Sequence, residues 1–351
     1  MKVFLHEPIE NECGALLGSL YRKAREPRHE LVDSPDKADL ILVTGSYSFE
    51  GLSKKLTQDP LVRQNVDRCV CYNDDDAYLP LLPGVYCSPR AGYSTKIGRV
   101  ATYSYIVRHI QKGNPHVRPA APDVEKDLLF SFQGRLGAKS RKRLIREFSG
   151  RSGVLVEDTT ANSNWATNEK VRDYQKTYVE TIHRSHFVLC PRGGGTGSFR
   201  FFETMQMGVA PVMISDGYVM PEGPDWSSFV ITVGENDVER MVEILEPLKD
   251  QSRERGRLAR LAWEQWFDID KEFNEIVDRC AKVHERSNAS EARYRAFWPL
   301  IVGRHYLKRG LRRNARAAVL GTANRLGVKI KTYRDVPQYD VKASIEKAKS
   351  L

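Results

Sequence analysis

The chain has 351 residues, 41% hydrophobic and 28% charged, with 55 Lys or Arg against 45 Asp or Glu and a formal net charge of +10. That length is a prior for two ordinary domains, each able to bury a core, and the composition excludes a disordered or low-complexity chain. No apolar run approaches the ~20 residues needed to cross a bilayer, and the opening MKVFLHEPIE reads as a first strand rather than a signal peptide, which sets the expectation of a cytoplasmic protein.

In chain order, KVFL (2–5) and ADLILVTG (38–45) read as strands with a helical stretch at 13–25 between them. DRCVCYN (67–73) and GVYCS (84–88) read as two more strands, and GRVATYSYIVRHIQ (98–111) as a helix. The proline-rich stretch 113–127 is the candidate linker. The alternation then restarts: strand 128–132, basic helix 139–150, strand 153–158, helix 171–185 and strand HFVLC (186–190). A glycine loop follows, then a helix to Gly208, strands APVMIS and FVITV, and a helical region over 236–299. Short apolar runs alternating with amphipathic stretches predict parallel α/β architecture, as two Rossmann-like domains facing across a cleft. The expected divisions are an N-terminal domain at 1–118, a C-terminal domain with return helices at 119–300, and a basic segment at 301–351. The six cysteines show no CxxC pair and no Cys/His zinc spacing, which predicts free buried thiols.

The segment CPRGGGTGSFRFFETMQMG, 190–208, places three glycines ahead of a helix that is apolar except for Arg200 and Glu203. Strand, glycine turn, helix is an anion-binding arrangement, because the helix start carries unpaired N–H groups and partial positive charge. The segment matches neither a Walker A loop, which needs a Lys, nor the dinucleotide fingerprint, where Ser198 replaces the last glycine. A plain tight turn therefore stays open. Arg200 and Glu203, spaced i, i+3, share a helix face. They read either as a local salt bridge or as groups facing a cleft, Arg200 toward a diphosphate and Glu203 toward two ribose hydroxyls.

On these residues the chain resembles the exostosin-like glycosyltransferases, family forty-seven. The pattern falls on Cys190, Pro191, Gly193, Ser198, Arg200, Glu203, Gly208, Pro211, Val212, Asp216 and Pro221, continues at Trp226, and is preceded by Phe132, Gly134 and Arg141. The resemblance is specific over about 128–235, weaker over 1–112 and absent after about 300. It implies a GT-B fold, an inverting mechanism and a nucleotide-sugar donor, a UDP-sugar ahead of a GDP-sugar, with no metal or further cofactor required. Animal and plant members usually carry an N-terminal membrane anchor; this sequence shows none, so the expectation is a cytoplasmic relative, peripheral at the inner face of the cell membrane. Donor-binding candidates are Arg135, Arg141, Arg192, Gly193, Gly194, Gly195, Ser198, Arg200 and Glu203.

An inverting transfer needs a general base, expected from the N-terminal domain. The candidates are His6 and Glu7 after the first strand, and Asp74, Asp75 and Asp76 after the strand at 67–73. An acidic run after a strand is also an ordinary solvated turn or cap. Asp74-x-Asp76 also fits a DxD metal motif, but the phosphate is better accounted for by 191–203, so no metal site is expected. The last feature is charge placement: residues 303–334 hold ten Lys or Arg and no Asp or Glu, so the rest of the chain is neutral overall. With Leu307, Leu311, Ala315, Ala318 and Val319 at roughly helical spacing, this segment reads as a surface for anionic membrane, or as a solvated tail. Nucleic-acid binding through it is not expected, since the body is neutral and no aromatic platform is present. The predicted partners are thus a nucleotide-sugar donor and a glycan or lipid-linked glycan acceptor of a surface polysaccharide. The competing readings are a non-catalytic nucleotide- or glycan-binding protein and a nucleic-acid-binding protein.

Overall fold

The computed structural model describes all residues except 46–51, 77, 97, 111–112, 122–123, 161–168, 287–290, 308–309, 312–313 and 315–340. The N-terminal half contains β1 (Lys2–His6), α1 (Glu12–Lys23), β2 (Glu30–Leu31), β3 (Leu40–Thr44), α2 (Leu52–Gln58), α3 (Pro60–Gln64), β4 (Cys69–Asn73), β5 (Gly84–Tyr86), α4 (Tyr93–Lys96) and β6 (Val100–Thr102). The following half contains β7 (Leu128–Gly134), α5 (Lys139–Phe148), β8 (Val154–Asp158), α6 (Glu169–His183), β9 (Ser185–Pro191), α7 (Phe199–Met207), β10 (Ala210–Ile214) and β11 (Ile231–Val233). Helices α8 (Met241–Leu245), α9 (Ser252–Trp266), α10 (Glu272–Arg286) and α11 (Glu291–Arg295) come next, and α12 (Val341–Lys349) closes the chain.

The strands form two sheets, one of six in the order β2-β1-β3-β4-β5-β6 and one of five in the order β11-β10-β9-β7-β8. Every strand pairing is parallel. Parallel sheets covered by helices on both faces require strands apolar on both sides, and LILVT of β3 and APVMI of β10 are buried along their whole length. All six cysteines are free and buried, as their spacing predicts.

Two expectations need correction. Residues 98–111 are not one helix: Val100–Thr102 is a strand paired with β5, and only Ile106–His109 forms a short 3₁₀ turn. Val-Ala-Thr-Tyr has strand-favouring side chains, and a run this short fits either period until its neighbour is known. The helical region 236–299 is also broken into short pieces, with turns on either side of α8 and at 267–271.

The chain crosses back after the second sheet. Helix α10 packs against β4, β5 and β6, and α12 packs on α1, where the Ser19 hydroxyl donates to Ala348 O. One continuous apolar cluster runs from Val3 and Leu16 through Tyr103 and Phe267 to Phe201 and Phe202, joining the two halves beneath the cleft. Most of the basic stretch 303–334 lies outside the described residues; within it, residues 303–307 are helical.

Candidate functional site

The C-terminal ends of both sheets meet at the cleft, where open α/β sheets place ligands. Strand β9 ends at Pro191 and runs into the glycine loop, and α7 begins at Phe199 and stops at Gly208, whose positive φ of 72° gives the left-handed cap that glycine adopts without cost. The loop touches the opposite half closely. A Cβ at Gly194 would lie 2.9 Å from Asp76 Oδ2, and one at Gly197 would lie 2.6 Å from the Tyr105 hydroxyl. The glycines are therefore needed for close approach between the halves, a requirement the sequence had assigned to a phosphate.

The loop's N–H groups are correspondingly occupied. Thr196 N–H and Gly197 N–H donate to the buried Ser88 Oγ at 2.6 and 3.0 Å, and Gly195 N–H donates to Asp76. The Thr196 hydroxyl donates to Pro89 O at 2.7 Å. The Thr196 and Gly197 N–H groups therefore bind the N-terminal half.

Beside the loop lies a cavity of about 250 Å³ between Asp76 and Tyr105 on one wall and Arg135, Arg141, Tyr178, Arg200 and Glu203 on the other. Gly193, Gly194, Ser198 and Gly197 also line it. Arg200 is 9% exposed; its Nη2 donates to Gln133 O, and its guanidinium lies 4.7 Å from the centre of the Phe132 ring. Its Nε has no hydrogen-bond partner among the described residues. Glu203 accepts from the Tyr178 hydroxyl at 2.9 Å. Burial raises its pKa above the ordinary carboxylate value, against the opposing pull of Tyr178, Arg200 and Arg108. The two therefore hold different partners, and no ion pair joins them among the described residues.

Arg141 uses all three guanidinium nitrogens on main-chain carbonyls: Nε on Arg192 O at 2.9 Å, Nη1 on Arg135 O at 3.1 Å and Nη2 on Pro191 O at 2.9 Å. It thereby ties the end of β7 to the end of β9. Burial, and secondarily the like charge of Arg200, push its pKa down to about 9. A guanidinium stays protonated at neutral pH regardless; the direction reflects a charge desolvated beside a second guanidinium.

The remaining candidates separate cleanly. Arg192 pairs with Glu235 at 2.7 Å and does not line the cavity. His6 Nε2 bonds Asp59 at 3.0 Å, and Glu7 accepts from Asn11 N–H just ahead of α1; neither lines the cavity. Of the acidic run, Asp74 is buried and accepts from Val107 N–H at 2.9 Å, which fixes the turn after β6. Asp75 is not among the lining residues. Asp76 alone of the three opens on the cavity, accepting from the Tyr105 hydroxyl at 3.2 Å. Although Asp76 is exposed as a residue, surrounding protein desolvates its carboxyl and raises the pKa, with Asp75 adding to the rise and Tyr105, Gly195 and Arg141 opposing it. Among the described residues no group of three or more His, Cys, Asp or Glu could hold a metal ion.

Ser88, Tyr105 and Tyr178 complete the site, and none was singled out by sequence. A lone Ser after a strand and two tyrosines in ordinary apolar patterns carry no local signal. Several signature residues prove architectural: Asp216 Oδ1 accepts from Glu235 N–H at 3.1 Å, and the Trp226 indole donates to Pro221 O at 2.7 Å. A second recess of about 280 Å³ adjoins the first, sharing Gly113, Asn114 and Glu203, with Arg108, His109 and Lys347 on its far side.

Comparison with known proteins shows what the residues around the site are similar to. The exostosin GT47 domain matches residues 92–248. An exostosin-1 homolog of Caenorhabditis elegans is 32% identical over 158 residues, 41% of this chain and 41% of that protein. Exostosin-1 of Drosophila melanogaster is 29% identical over 157 residues, 40% of this chain and 21% of that protein. The chain thus spans less than half the length of the curated relatives it matches. Among solved structures, MurG of Acinetobacter baumannii covers 80% of this chain and 99% of its own at 10% identity, and an α1,3-fucosyltransferase covers 83% and 91% at 11%. Their TM-scores of 0.35 and 0.38 are too low to carry weight. No helix among the described residues is long and apolar enough to cross a membrane. Residues 92–248 are thus similar to an exostosin GT47 domain, and the signature around Arg200 and Glu203 lies within that match, on the second of two parallel sheets.

Proposed function

We propose that the protein transfers a glycosyl group, with inversion, from a nucleotide-sugar donor to a hydroxyl of a glycan or lipid-linked glycan acceptor. The observation that carries this reading is that Arg200 and Glu203, on one helix and not paired with each other, open on a cavity that Asp76 closes from the other sheet. The donor diphosphate lies against Arg200, Arg135 and the start of α7, which line the cavity. Glu203, with one oxygen on Tyr178, accepts from ribose hydroxyls with the other.

Asp76 takes the acceptor hydroxyl's proton as that oxygen forms its bond to the anomeric carbon. The bond from the anomeric carbon to the diphosphate breaks, and its electron pair leaves with the nucleoside diphosphate. A carboxylate with a raised pKa is the stronger base. A UDP-sugar ranks ahead of a GDP-sugar as donor, and no metal takes part in this scheme. A second reading of Asp76 has support of its own: its bonds to Tyr105 and Gly195 make it a latch between the halves.

Calorimetric titration with UDP, GDP, CDP and ADP, with and without divalent metal, tests the reading. One nucleotide is expected to bind without metal and to lose at least about tenfold in affinity, about 1.4 kcal/mol, in Glu203→Ala. In Asp76→Asn, binding should persist while turnover falls by roughly 10²–10⁴. Near-normal turnover there, since Asn keeps an oxygen to accept from Tyr105, would leave Asp76 a latch. Binding only with metal would redirect the phosphate to Asp74 and Asp76, and no binding at all would reduce the glycine loop to a turn.

A further inference from the structure

The segment following α11 presents apolar side chains to solvent. Seven large hydrophobic residues are exposed among the described residues, and five of them, Phe297, Leu300, Tyr306, Leu307 and Leu311, fall within fifteen positions. Clustering of this kind marks an interaction surface, whereas single exposed leucines do not. Residues 298–307 are helical, and Leu311 is helical as well. Leu300, Leu307 and Leu311, 71%, 65% and 63% exposed, are spaced seven and four apart and fall on one face.

The opposite face is fixed to the N-terminal half. Trp298 is 2% exposed and its indole donates to Leu81 O at 3.0 Å, with Ile301 and Val302 packed on the same core. Just upstream, Glu291 pairs with Arg99, whose guanidinium lies 3.7 Å from the centre of the Tyr294 ring. The exposed face is thus held outward by a well-anchored helix. Charge selects its occupant. Residues 303–314 hold five Lys or Arg and no acidic residue, and the described Arg304 is exposed on the same face as the leucines.

We propose that this face docks the protein on an anionic lipid bilayer, with Phe297, Leu300, Leu307 and Leu311 entering the interface and the basic positions meeting lipid phosphates. A second copy of the chain is a poor occupant, because self-pairing would bring two such basic stretches together. Nucleic acid accounts for the charge and leaves the leucines without a role. The proposal goes beyond the donor-site reading and does not depend on it.

The test is flotation of the full chain with vesicles of phosphatidylcholine, with and without phosphatidylglycerol, alongside the triple variant Leu300→Ser/Leu307→Ser/Leu311→Ser. The wild type is expected to float with anionic vesicles only, less at high salt, and the variant to lose at least about tenfold in partitioning. An unchanged melting temperature and unchanged nucleotide affinity verify that the variant is folded, and they separate this outcome from failure of the donor site. Flotation equal in wild type and variant, or absent with both vesicle types, overturns the proposal. So does binding of a DNA duplex that survives the leucine changes and displaces the vesicles.

Discussion

Two of the arginine–glutamate groups among the described residues are built on opposite plans. At the crossover, Arg108 and Glu272 are in direct contact at 2.5 Å, with side chains 3% and 0% exposed. His109 and the Ser104 hydroxyl add bonds to the same carboxylate at 2.6 and 3.1 Å, and Arg108 also reaches Phe267 O at 2.7 Å. At the cleft, Arg200 and Glu203 share a helix face, yet each bonds something else and a cavity lies beside both. The first group pairs arginine with glutamate directly; the second keeps them apart on separate partners beside the cleft cavity. Burial of charge is costly in both places, but only in the second does each charge stay unpaired with the other where a ligand could enter.

Removing one partner should expose the difference. Glu272→Ala leaves Arg108 buried without its counter-charge and removes the acceptor of the His109 bond, and we expect a loss of about 3–5 kcal/mol in urea unfolding. The pH dependence is specific. Burial by itself would raise the Glu272 pKa, but Arg108 and then His109 outweigh it and hold the carboxyl below its ordinary value of 4.5. A depressed folded pKa contributes stability above the unfolded value and loses it as pH falls through the folded one. The variant should therefore lose part of the wild type's acid-side slope. An unfolding free energy within about 1 kcal/mol of wild type would remove this group from the fold's principal supports.

A smaller effect is expected where the halves meet. Ser88→Ala deprives the Thr196 and Gly197 N–H groups of their buried acceptor, a change of about 1–3 kcal/mol in stability. If those donors serve the contact between the halves, nucleotide affinity should shift by less than about threefold. A large loss of affinity with little loss of stability would return the glycine loop to phosphate binding.

What was legible in the sequence follows the same division. Buried parallel strands announce themselves as continuous apolar runs, so nearly all of both sheets could be read. Strand β6 could not, because Val-Ala-Thr-Tyr fits two periods and only its pairing with β5 decides. Arg200 and Glu203 stood out because their helix neighbours are apolar; their partners did not, since Tyr178 and Gln133 lie on other elements. In the acidic run, three adjacent aspartates look alike until tertiary contacts separate them: Val107 N–H engages Asp74, while Asp76 faces the cavity. The glycines read as room for an anion or as a plain turn, and local sequence does not say that Asp76, Ser88 and Tyr105 come close to them.

The smallest prediction is the sharpest test of the comparison. Burial raises the Glu203 pKa, with Tyr178 and Arg200 pulling against it. A raised folded pKa means the protonated form is favoured by folding, so stability is greatest below the unfolded value and falls as pH rises through the folded one. At neutral pH the Glu203 charge thus works against the fold. Glu203→Gln, which keeps the shape and an acceptor for the Tyr178 hydroxyl, should raise the melting temperature slightly while weakening donor binding, the trade expected where a site is kept for a ligand. Glu272→Gln should lower the melting temperature, because its charge is matched. If both substitutions destabilise alike, Glu203 is part of a closed structural network and the cavity beside it has no special claim to the donor. Opposite signs would mean that two side chains of the same chemistry are retained for opposite reasons, one for the fold and one for the substrate.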